Sequence, residues 1–257
     1  MLDATPAPAR TRYRLTYPEV NATAEQDEEC CDLHTEDGVE RVRFHDYAGI
    51  YARPGLYEQL FYEELHCQSP QVVCDLLGSC LDAEGRDPAD LRVLDLGAGN
   101  GMVGERLAEL GAGHLVGVDL LDEARAAAER DRPGLYDDYV AGDVTALDDA
   151  DVARLREARA TCLTTVAALG FGDIPPAAFA AASEFVEDGG MVAITIKEDF
   201  LADGDGTGFA RLVRDAVQTG TLEILEQRSY RHRLAADGAP LRYAAVVARK
   251  HGPLPAI

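Results

Sequence analysis

An aspartate and three alternately spaced glycines follow a short apolar run in the middle of the chain. The pattern reads Asp95-x-Gly97-x-Gly99-x-Gly101, and apolar residues typical of a buried strand precede it. Glycine lacks a Cβ atom, so the backbone of such a turn can approach a bound molecule closely. The helical pattern that follows offers unpaired N–H groups at its first turn. The spacing therefore predicts a strand–turn–helix unit that binds a nucleoside cofactor.

Two classes of cofactor are bound by units of this kind. The dinucleotide pattern G-x-G-x-x-G fails when it starts at Gly97, because its third glycine falls on Met102. Starting at Gly99, the pattern is satisfied by Gly101 and Gly104, but that frame begins late and gives Asp95 no role. The frame that starts at Asp95 accounts for the acid and all three glycines.

A second acid, Asp119, ends the next apolar segment of the chain. A carboxylate at the end of a parallel strand can accept both hydroxyls of a ribose, and Leu120 beside it can pack on an adenine edge. A dinucleotide enzyme could use the same acid. An acid at a helix N-terminus with no ligand is a further interpretation of Asp119.

Strand-like and helical segments alternate from residue 91 onward. The apolar patterns predict strands at 91–96, 114–118, 139–141, 161–169 and 191–196, and helices at 102–110, from 122, at 176–186 and at 209–218. Gly189-Gly190 is expected to turn into the fifth strand. Segments 222–230 and 241–249 flank the turn dipeptide Asp237-Gly238 and predict an antiparallel hairpin. We expect an α/β fold with a Rossmann-like parallel sheet, helices on both faces and a closing hairpin.

The residues before the sheet differ in composition from the rest. Residues 1–40 are acidic with little apolar periodicity, so we expect an irregular N-terminal arm. Residues 41–90 are rich in tyrosine and predict a helical cap or lid, with helices that start after Pro54-Gly55 and at Pro70. The nucleoside-binding core then covers residues 91–250, and residues 251–257 form a tail.

The charge balance restricts the partners of the chain. The 257 residues include 24 Lys and Arg against 46 Asp and Glu, a formal net charge of −22. Nucleic acids and anionic membranes are disfavoured as partners because both require a basic surface. The first residues contain no apolar core of a secretory signal, and no apolar run reaches membrane-spanning length. We expect a cytoplasmic monomer or homodimer.

Six cysteines are present, and none of their spacings gives a C-x-x-C pair. A chain of this size does not need disulfides, so we expect reduced thiols. No metal site is predicted. The alternative would be a site built from Cys30, Cys31 and His34, or from His66 and Cys67.

Residues 91–250 resemble the class I S-adenosylmethionine-dependent methyltransferases. The resemblance rests on the Asp95–Gly101 pattern, the acids Asp119 and Asp143, Gly189-Gly190 and the final hairpin. It implies S-adenosylmethionine as the cofactor, with Asp95 holding the cationic methionine end directly or through water, and Asp143 accepting the adenine amino group. The cofactor-binding residues expected from it are Asp95, Gly97, Ala98, Gly99, Gly101, Asp119, Leu120, Gly142, Asp143, Val144 and Tyr57. A solvated turn aspartate is the alternative interpretation of Asp143.

Within that class the chain looks most like small methyltransferase-like proteins of the Williams–Beuren-region type and their bacterial relatives. The residues that carry this likeness are the segment 133–139, Gly142-Asp143, the loop 166–175 and the pair Tyr57-Glu58. One departure is Leu121, where relatives often have a serine that caps the helix.

The resemblance implies in-line methyl transfer to a small-molecule acceptor. Candidate acceptor-binding residues are Tyr47, Tyr51, Tyr62 and Phe171, and candidate catalytic residues are His45, Lys197 and Glu198. Phe171 is expected to be a mobile wall of the acceptor pocket. Two other functions remain open at this point: an NAD(P)-dependent oxidoreductase, and a methyltransferase that acts on protein. No Tyr-x-x-x-Lys pair of the kind that an oxidoreductase would use is found near the fourth or fifth strand.

Overall fold

The structure is a computed structural model that describes residues 11–201 and 206–255. A small antiparallel sheet comes first and consists of β1 (Arg14–Thr16), β2 (Cys30–Thr35) and β3 (Gly38–Arg43). Three helices follow: α1 (Tyr47–Tyr51), α2 (Leu56–Glu58, continued by a π-helical turn over Gln59–Glu64) and α3 (Ser69–Glu84). Short 3₁₀ turns lie at Glu19–Thr23, Gln26–Glu28, Pro88–Asp90 and Glu198–Leu201.

A seven-stranded sheet forms the rest of the fold. Its strands are β4 (Arg92–Leu96), β5 (His114–Asp119), β6 (Asp138–Ala141), β7 (Ala160–Thr165), β8 (Val186–Lys197), β9 (Leu222–Leu234) and β10 (Pro240–Lys250). Its helices are α4 (Met102–Leu110), α5 (Asp122–Asp131), α6 (Asp149–Glu157), α7 (Pro176–Ser183) and α8 (Phe209–Gln218). The spatial order of the strands is β6-β5-β4-β7-β8-β10-β9.

The sheet is parallel from β6 to β8, and β10 is antiparallel to both β8 and β9. These pairings and the strand order confirm the expected Rossmann-like sheet with its closing hairpin. The chain winds from β4 to one edge and then returns through β7 to the other. The winding therefore reverses between β4 and β7, and open α/β sheets bind ligands in the crevice at such a point.

Successive residues of β4 point to opposite faces of the sheet, and both faces are covered. Val93 packs with residues of α3 and α4, whereas Leu94 lies in a separate cluster with Phe179 of α7 and Phe209 of α8. The near-continuous apolar run of β4 follows from this double burial. A strand held from both sides gives the turn after it a fixed position.

The expectation of an irregular arm over residues 1–40 is wrong for the part that the structure describes. β2 and β3 form a hairpin in which Thr35 pairs with Gly38, and β1 pairs with β2. Cys31 and Leu33 are buried on one face of β2, while the other face carries polar residues. The alternation was thus present, but Asp32 and His34 on the exposed face give the segment a polar composition that hid it. Residues 1–10 lie outside the described residues.

One helix and several boundaries inside the core also differ from the sequence prediction. Helix α6 was not predicted, because Leu155 is its one buried residue among polar neighbours. β7 ends at Thr165 instead of 169, α7 ends at Ser183 instead of 186, and β8 begins at Val186. Gly189-Gly190 therefore lies within β8, where the pairing with β7 is irregular, and not in a turn before it. Within the described residues, no helix is both long enough and apolar enough to span a membrane.

Candidate functional site

A cavity of about 630 Å³ opens at the carboxyl ends of β4, β5, β6 and β7. Its walls come from the segments that follow those strands, namely 96–97, 118–121, 142–145, 166–168 and 172–175, together with residues 177–178 of α7. Residues 45–48, 51 and 57 of the cap close it from the other side. A volume of this size is ordinary for a site that holds a small organic ligand.

Asp119 lies in the wall of this cavity at the end of β5. Its Oδ2 atom accepts a hydrogen bond from the Gly99 N–H at 2.9 Å, and its Oδ1 atom accepts one from the Leu121 N–H at 3.1 Å. Burial raises the pKa of this carboxyl, and those backbone hydrogen bonds lower it in part. Asp119 thus fixes the two loops on either side of the cavity and retains oxygen lone pairs for a ligand.

The glycine turn after β4 has the backbone conformation that the sequence pattern requires. Gly99 has a φ of 54°, in the left-handed region that favours glycine. A Cβ atom on Gly99 would collide with the Tyr51 hydroxyl, and one on Gly97 would lie 2.9 Å from Cδ1 of Ile174. The turn therefore needs glycine because the cap and the loop after β7 pack directly on it.

Asp95 lies beneath this turn and is not part of the cavity wall. It is 1 % exposed, and its carboxylate accepts hydrogen bonds from the Tyr136 hydroxyl at 2.7 Å and the Thr164 hydroxyl at 2.6 Å. Burial raises the pKa of Asp95 to about 6, although both hydrogen bonds oppose the rise. Ala98 and Gly101 are also buried behind the wall. The structure thus gives Asp95 no direct access to a ligand in the cavity.

The segment after β6 forms the next part of the wall and includes Gly142, Asp143 and Val144. One oxygen of Asp143 accepts hydrogen bonds from the hydroxyl and the N–H of Thr145, at 2.7 and 2.9 Å. These hydrogen bonds lower the pKa of the Asp143 carboxyl. The second oxygen of an ionised Asp143 is therefore the one left for a donor on a ligand.

The cap contributes three of the four tyrosines that the sequence analysis named. Tyr47, Tyr51 and Tyr57 line the cavity and pack ring against ring, with centroids 6.2 and 5.0 Å apart along the series. Tyr62 does not reach the cavity; it packs against Tyr57 inside the cap. The cap tyrosines therefore separate the cavity from solvent on this side.

The three candidate catalytic residues fall in different places. His45 lines the cavity, and its Nδ1 atom lies 2.9 Å from Oδ2 of Asp173. Lys197 is paired with Asp199 at 3.2 Å, and Glu198 lies 4.0 Å from Arg242; neither residue lines the cavity.

Phe171 lies behind His45, with ring centroids 5.6 Å apart, in a smaller space next to the cavity. Asp173 was not named as a site residue, because its contact with His45 joins segments far apart in the chain.

A buried polar cluster beside the glycine turn was also missed. Arg132 donates to Glu58 Oε1 at 2.9 Å, and Asn100 Nδ2 donates to the same oxygen at 2.9 Å. Glu58 Oε2 and Asn100 Oδ1 are buried and accept no hydrogen bond from any described residue. Two acceptor atoms without donors are thus held next to the turn by an ion pair between the cap and the end of α5. The sequence offered one signal, the acid of Tyr57-Glu58.

The cysteines form no site within the described part of the chain. All six are free thiols, and no three potential metal-ligating side chains converge there. His34 instead contacts the Thr16 hydroxyl at 3.0 Å across the small sheet.

Comparison with known proteins agrees with this architecture. An S-adenosylmethionine-dependent methyltransferase from Clostridium acetobutylicum is 14 % identical over 77 % of this chain and 97 % of its own, with a TM-score of 0.50. A candidate RNA methyltransferase from Pyrococcus horikoshii is 14 % identical over 69 % of this chain and 81 % of its own, also with a TM-score of 0.50.

Magnesium protoporphyrin IX methyltransferase from Synechocystis, solved with bound S-adenosylmethionine, has a TM-score of 0.47 at 16 % identity, over 70 % of this chain and 79 % of its own. At these identities the likeness concerns the fold. No curated protein sequence matches the chain.

The sequence itself matches the family described as "Methyltransferase domain" over residues 93–190. That stretch runs from β4 into β8 and includes the glycine turn, Asp119 and Asp143. The match supports the methyltransferase prediction against the oxidoreductase alternative, and it says nothing of the Williams–Beuren-type subgroup. Residues 93–190 of this chain therefore match a methyltransferase domain.

Proposed function

We propose that the chain transfers the methyl group of S-adenosylmethionine to a small, uncharged or cationic acceptor that binds in the same cavity. The observation that carries the proposal is the charge of the cavity wall. Its residues include the aspartates 46, 119, 143 and 173, and among the described residues no lysine or arginine lines it. A cationic sulfonium is attracted to such a wall, whereas a pyrophosphate is repelled.

An exposed apolar side chain at the cavity fits this cofactor. Leu120 is 64 % exposed at the edge of the cavity, which is unusual for a large apolar side chain next to a pocket. A nucleobase lying on Leu120 would remove that surface from water. The donor-free acceptors of Glu58 and Asn100 are buried and do not line the cavity, so we do not assign them to the cofactor.

Each part of the cofactor has candidate residues. We assign the ribose to Asp119, the adenine to Leu120, Asp143 and Val144, and the methionine moiety to the Gly97–Gly101 turn under Tyr51 and Tyr57. Asp95 would act on the methionine moiety through its buried charge or through water, since its oxygens are already held by Tyr136 and Thr164. The likeness to the Williams–Beuren-type proteins stays a prediction.

When bound, S-adenosylmethionine supplies a methyl group on a sulfonium. A lone pair of the acceptor would attack this methyl carbon in line, and the sulfur would be displaced. The chain contributes alignment and exclusion of water. Tyr47, Tyr51 and Tyr57 cover the cavity, and the opposite wall is apolar, with Val166, Ala168, Ile174 and Pro175. An acceptor enclosed between these surfaces would lose its water shell.

The charge of the cavity wall also restricts which acceptors can bind. Phosphate and carboxylate groups need cations or several donors to replace water, and the cavity offers acids instead. A nucleic-acid acceptor is disfavoured for this reason. The cap tyrosines bury the cavity under packed side chains, which favours a small molecule over a protein chain.

Calorimetric titration tests the proposed function. S-adenosylmethionine and S-adenosylhomocysteine should bind at a single site, and NADH should not bind. Asp119→Ala should weaken cofactor binding at least tenfold, because ribose hydroxyls would be left without their acceptor. Asp122→Ala is the matched control, since Asp122 is an exposed acid three residues away that does not line the cavity. Tighter binding of NADH than of S-adenosylmethionine would refute the proposal.

A further inference from the structure

His45 and Asp173 both line the cavity and are in contact with each other. His45 lies just before α1, Asp173 follows β7, and Nδ1 of the first is 2.9 Å from Oδ2 of the second. The His45 side chain is 8 % exposed, so the pair is largely shielded from bulk water. The other ring nitrogen of His45, Nε2, makes no hydrogen bond to any residue within 11–201 and 206–255. The imidazole is thus held through Nδ1, and Nε2 remains available to accept a proton.

The loop that carries Asp173 is shaped by unusual backbone conformations. Gly170, Phe171 and Gly172 have φ values of 93°, 52° and 85°, so three successive residues lie in the left-handed region. A phenylalanine rarely adopts such a φ, and non-glycine residues that do so cluster at functional sites. Phe200 packs where a Cβ atom of Gly170 would lie, so this turn is fixed from outside. The turn directs Asp173 back toward His45.

The other charged groups near His45 are already engaged. The carboxylate of Asp46 accepts the Gly49 N–H at the start of α1. Arg233, which borders the small space behind His45, is paired with Glu29 at 2.6 Å. Lys197 contacts Phe171 and pairs with Asp199. Asp173 is therefore the charged partner of His45 within the described residues, and the apolar wall beside the pair suits a neutral ligand.

We propose that His45 is the catalytic base of the methyl transfer, with Asp173 as its positioning residue, and that the acceptor nucleophile is a neutral hydroxyl. This inference rests on the proposed function. The acceptor O–H bond breaks and its proton passes to Nε2 of His45. The oxygen lone pair forms the new O–C bond, and the C–S bond breaks with its electron pair going to sulfur. The products are a methyl ether, S-adenosylhomocysteine and an imidazolium that Asp173 stabilises and that releases its proton to water.

Two phenols of different acidity test the role of His45. At pH 8, phenol is protonated and needs a base, whereas 4-nitrophenol is mostly ionised and does not. Methylation of each is followed by transfer of label from methyl-labelled S-adenosylmethionine. His45→Gln should slow methylation of phenol by roughly 10²- to 10⁴-fold, the usual contribution of a general base. Methylation of 4-nitrophenol should fall by less than about tenfold, and Asp173→Asn should show the same selectivity with a smaller loss.

A matched control exists at the opposite end of the sheet. His114 Nδ1 also lies 2.9 Å from an aspartate oxygen, that of Asp137, at the start of β5 and away from the cavity. His114→Gln should leave both methylation rates unchanged. A readout independent of turnover is the absorbance of 4-nitrophenolate in the complex with S-adenosylhomocysteine at slightly acidic pH. Binding should ionise the phenol in the unchanged protein and in His114→Gln but not in His45→Gln.

Three results would overturn the inference. Equal loss for both phenols in His45→Gln would mean that His45 supports the fold and not proton transfer. No loss for phenol would remove its role altogether. Methylation of aniline or thiophenol with no methylation of either phenol would exclude a hydroxyl acceptor, as would the absence of any methylated probe. If S-adenosylmethionine still binds in these cases, this inference alone fails; if it does not bind, the proposed function fails as well.

Discussion

Replacing Asp95 by asparagine should stabilise the protein above pH 6. Burial raises the pKa of Asp95 from 3.8 to about 6, so the folded chain holds this proton more tightly than the unfolded chain. The tighter binding of this proton adds to the free energy of unfolding. The contribution is complete below pH 3.8 and is lost as the pH rises through 6. A difference of roughly two pKa units corresponds to about 3 kcal/mol.

Asparagine keeps the shape of the side chain and most of its hydrogen bonds. Its oxygen can accept from Thr164 or Tyr136, and its N–H₂ can donate to the other hydroxyl, which then serves as the acceptor. The free energy of unfolding of Asp95→Asn should exceed that of the unchanged protein by up to about 3 kcal/mol at pH 8. The two proteins should become equal near pH 4.

Urea unfolding at a series of pH values between 4 and 8 measures this difference directly. Asp32→Asn is the control of opposite sign, since a hydrogen bond from Arg41 holds the pKa of the partly exposed Asp32 carboxyl below its ordinary value. That variant should lose stability above pH 4 and not gain it. A difference in the free energy of unfolding between Asp95→Asn and the unchanged protein that stays constant from pH 4 to 8 would refute the reasoning. A lower free energy of unfolding for Asp95→Asn at pH 8 would refute it as well.

Three further predictions concern the cofactor and the buried ion pair between Glu29 and Arg233. A bound cation near the buried Asp95 favours its ionised form, so the affinity for S-adenosylmethionine should rise as the pH passes through 6, with proton release detectable by calorimetry in buffers of different ionisation enthalpy. Leu120→Ala should weaken cofactor binding by about 1 to 2 kcal/mol without changing urea unfolding, because Leu120 is exposed until a nucleobase covers it. If Leu120→Ala binds S-adenosylmethionine as tightly as the unchanged protein, Leu120 does not contact the adenine. Glu29→Gln should lower the free energy of unfolding by about 3 to 5 kcal/mol, because it leaves Arg233 buried without its counter-ion. Glu63→Gln, which breaks an exposed ion pair with Arg12, should change it by less than about 0.5 kcal/mol in the same urea experiment.

The order of the core elements could be predicted from the sequence because local patterns determine it. β4 is an apolar run that is buried on both faces, and a glycine turn follows it as the sequence pattern predicted. The hairpin of β9 and β10 follows from a turn dipeptide between two strand-like runs. Each of these signals comes from residues that are neighbours in the chain.

Features that depend on contacts between distant segments could not be predicted in the same way. The partners of Asp95 are Tyr136 and Thr164, 41 and 69 residues away, and nothing near Asp95 in the sequence names them. The pair of His45 with Asp173 joins the cap to a loop after β7. The small sheet was missed for another reason, because few of its residues are buried and its other face carries charged side chains of both signs, such as Asp32 and Arg41.

A crystal structure of the protein with S-adenosylhomocysteine would locate the cofactor site. We expect electron density in the 630 Å³ cavity, with the ribose hydroxyls on the Asp119 carboxylate and the adenine against Leu120. Density for the ligand elsewhere on the molecule, or in the cavity with the ribose away from Asp119, would contradict this expectation.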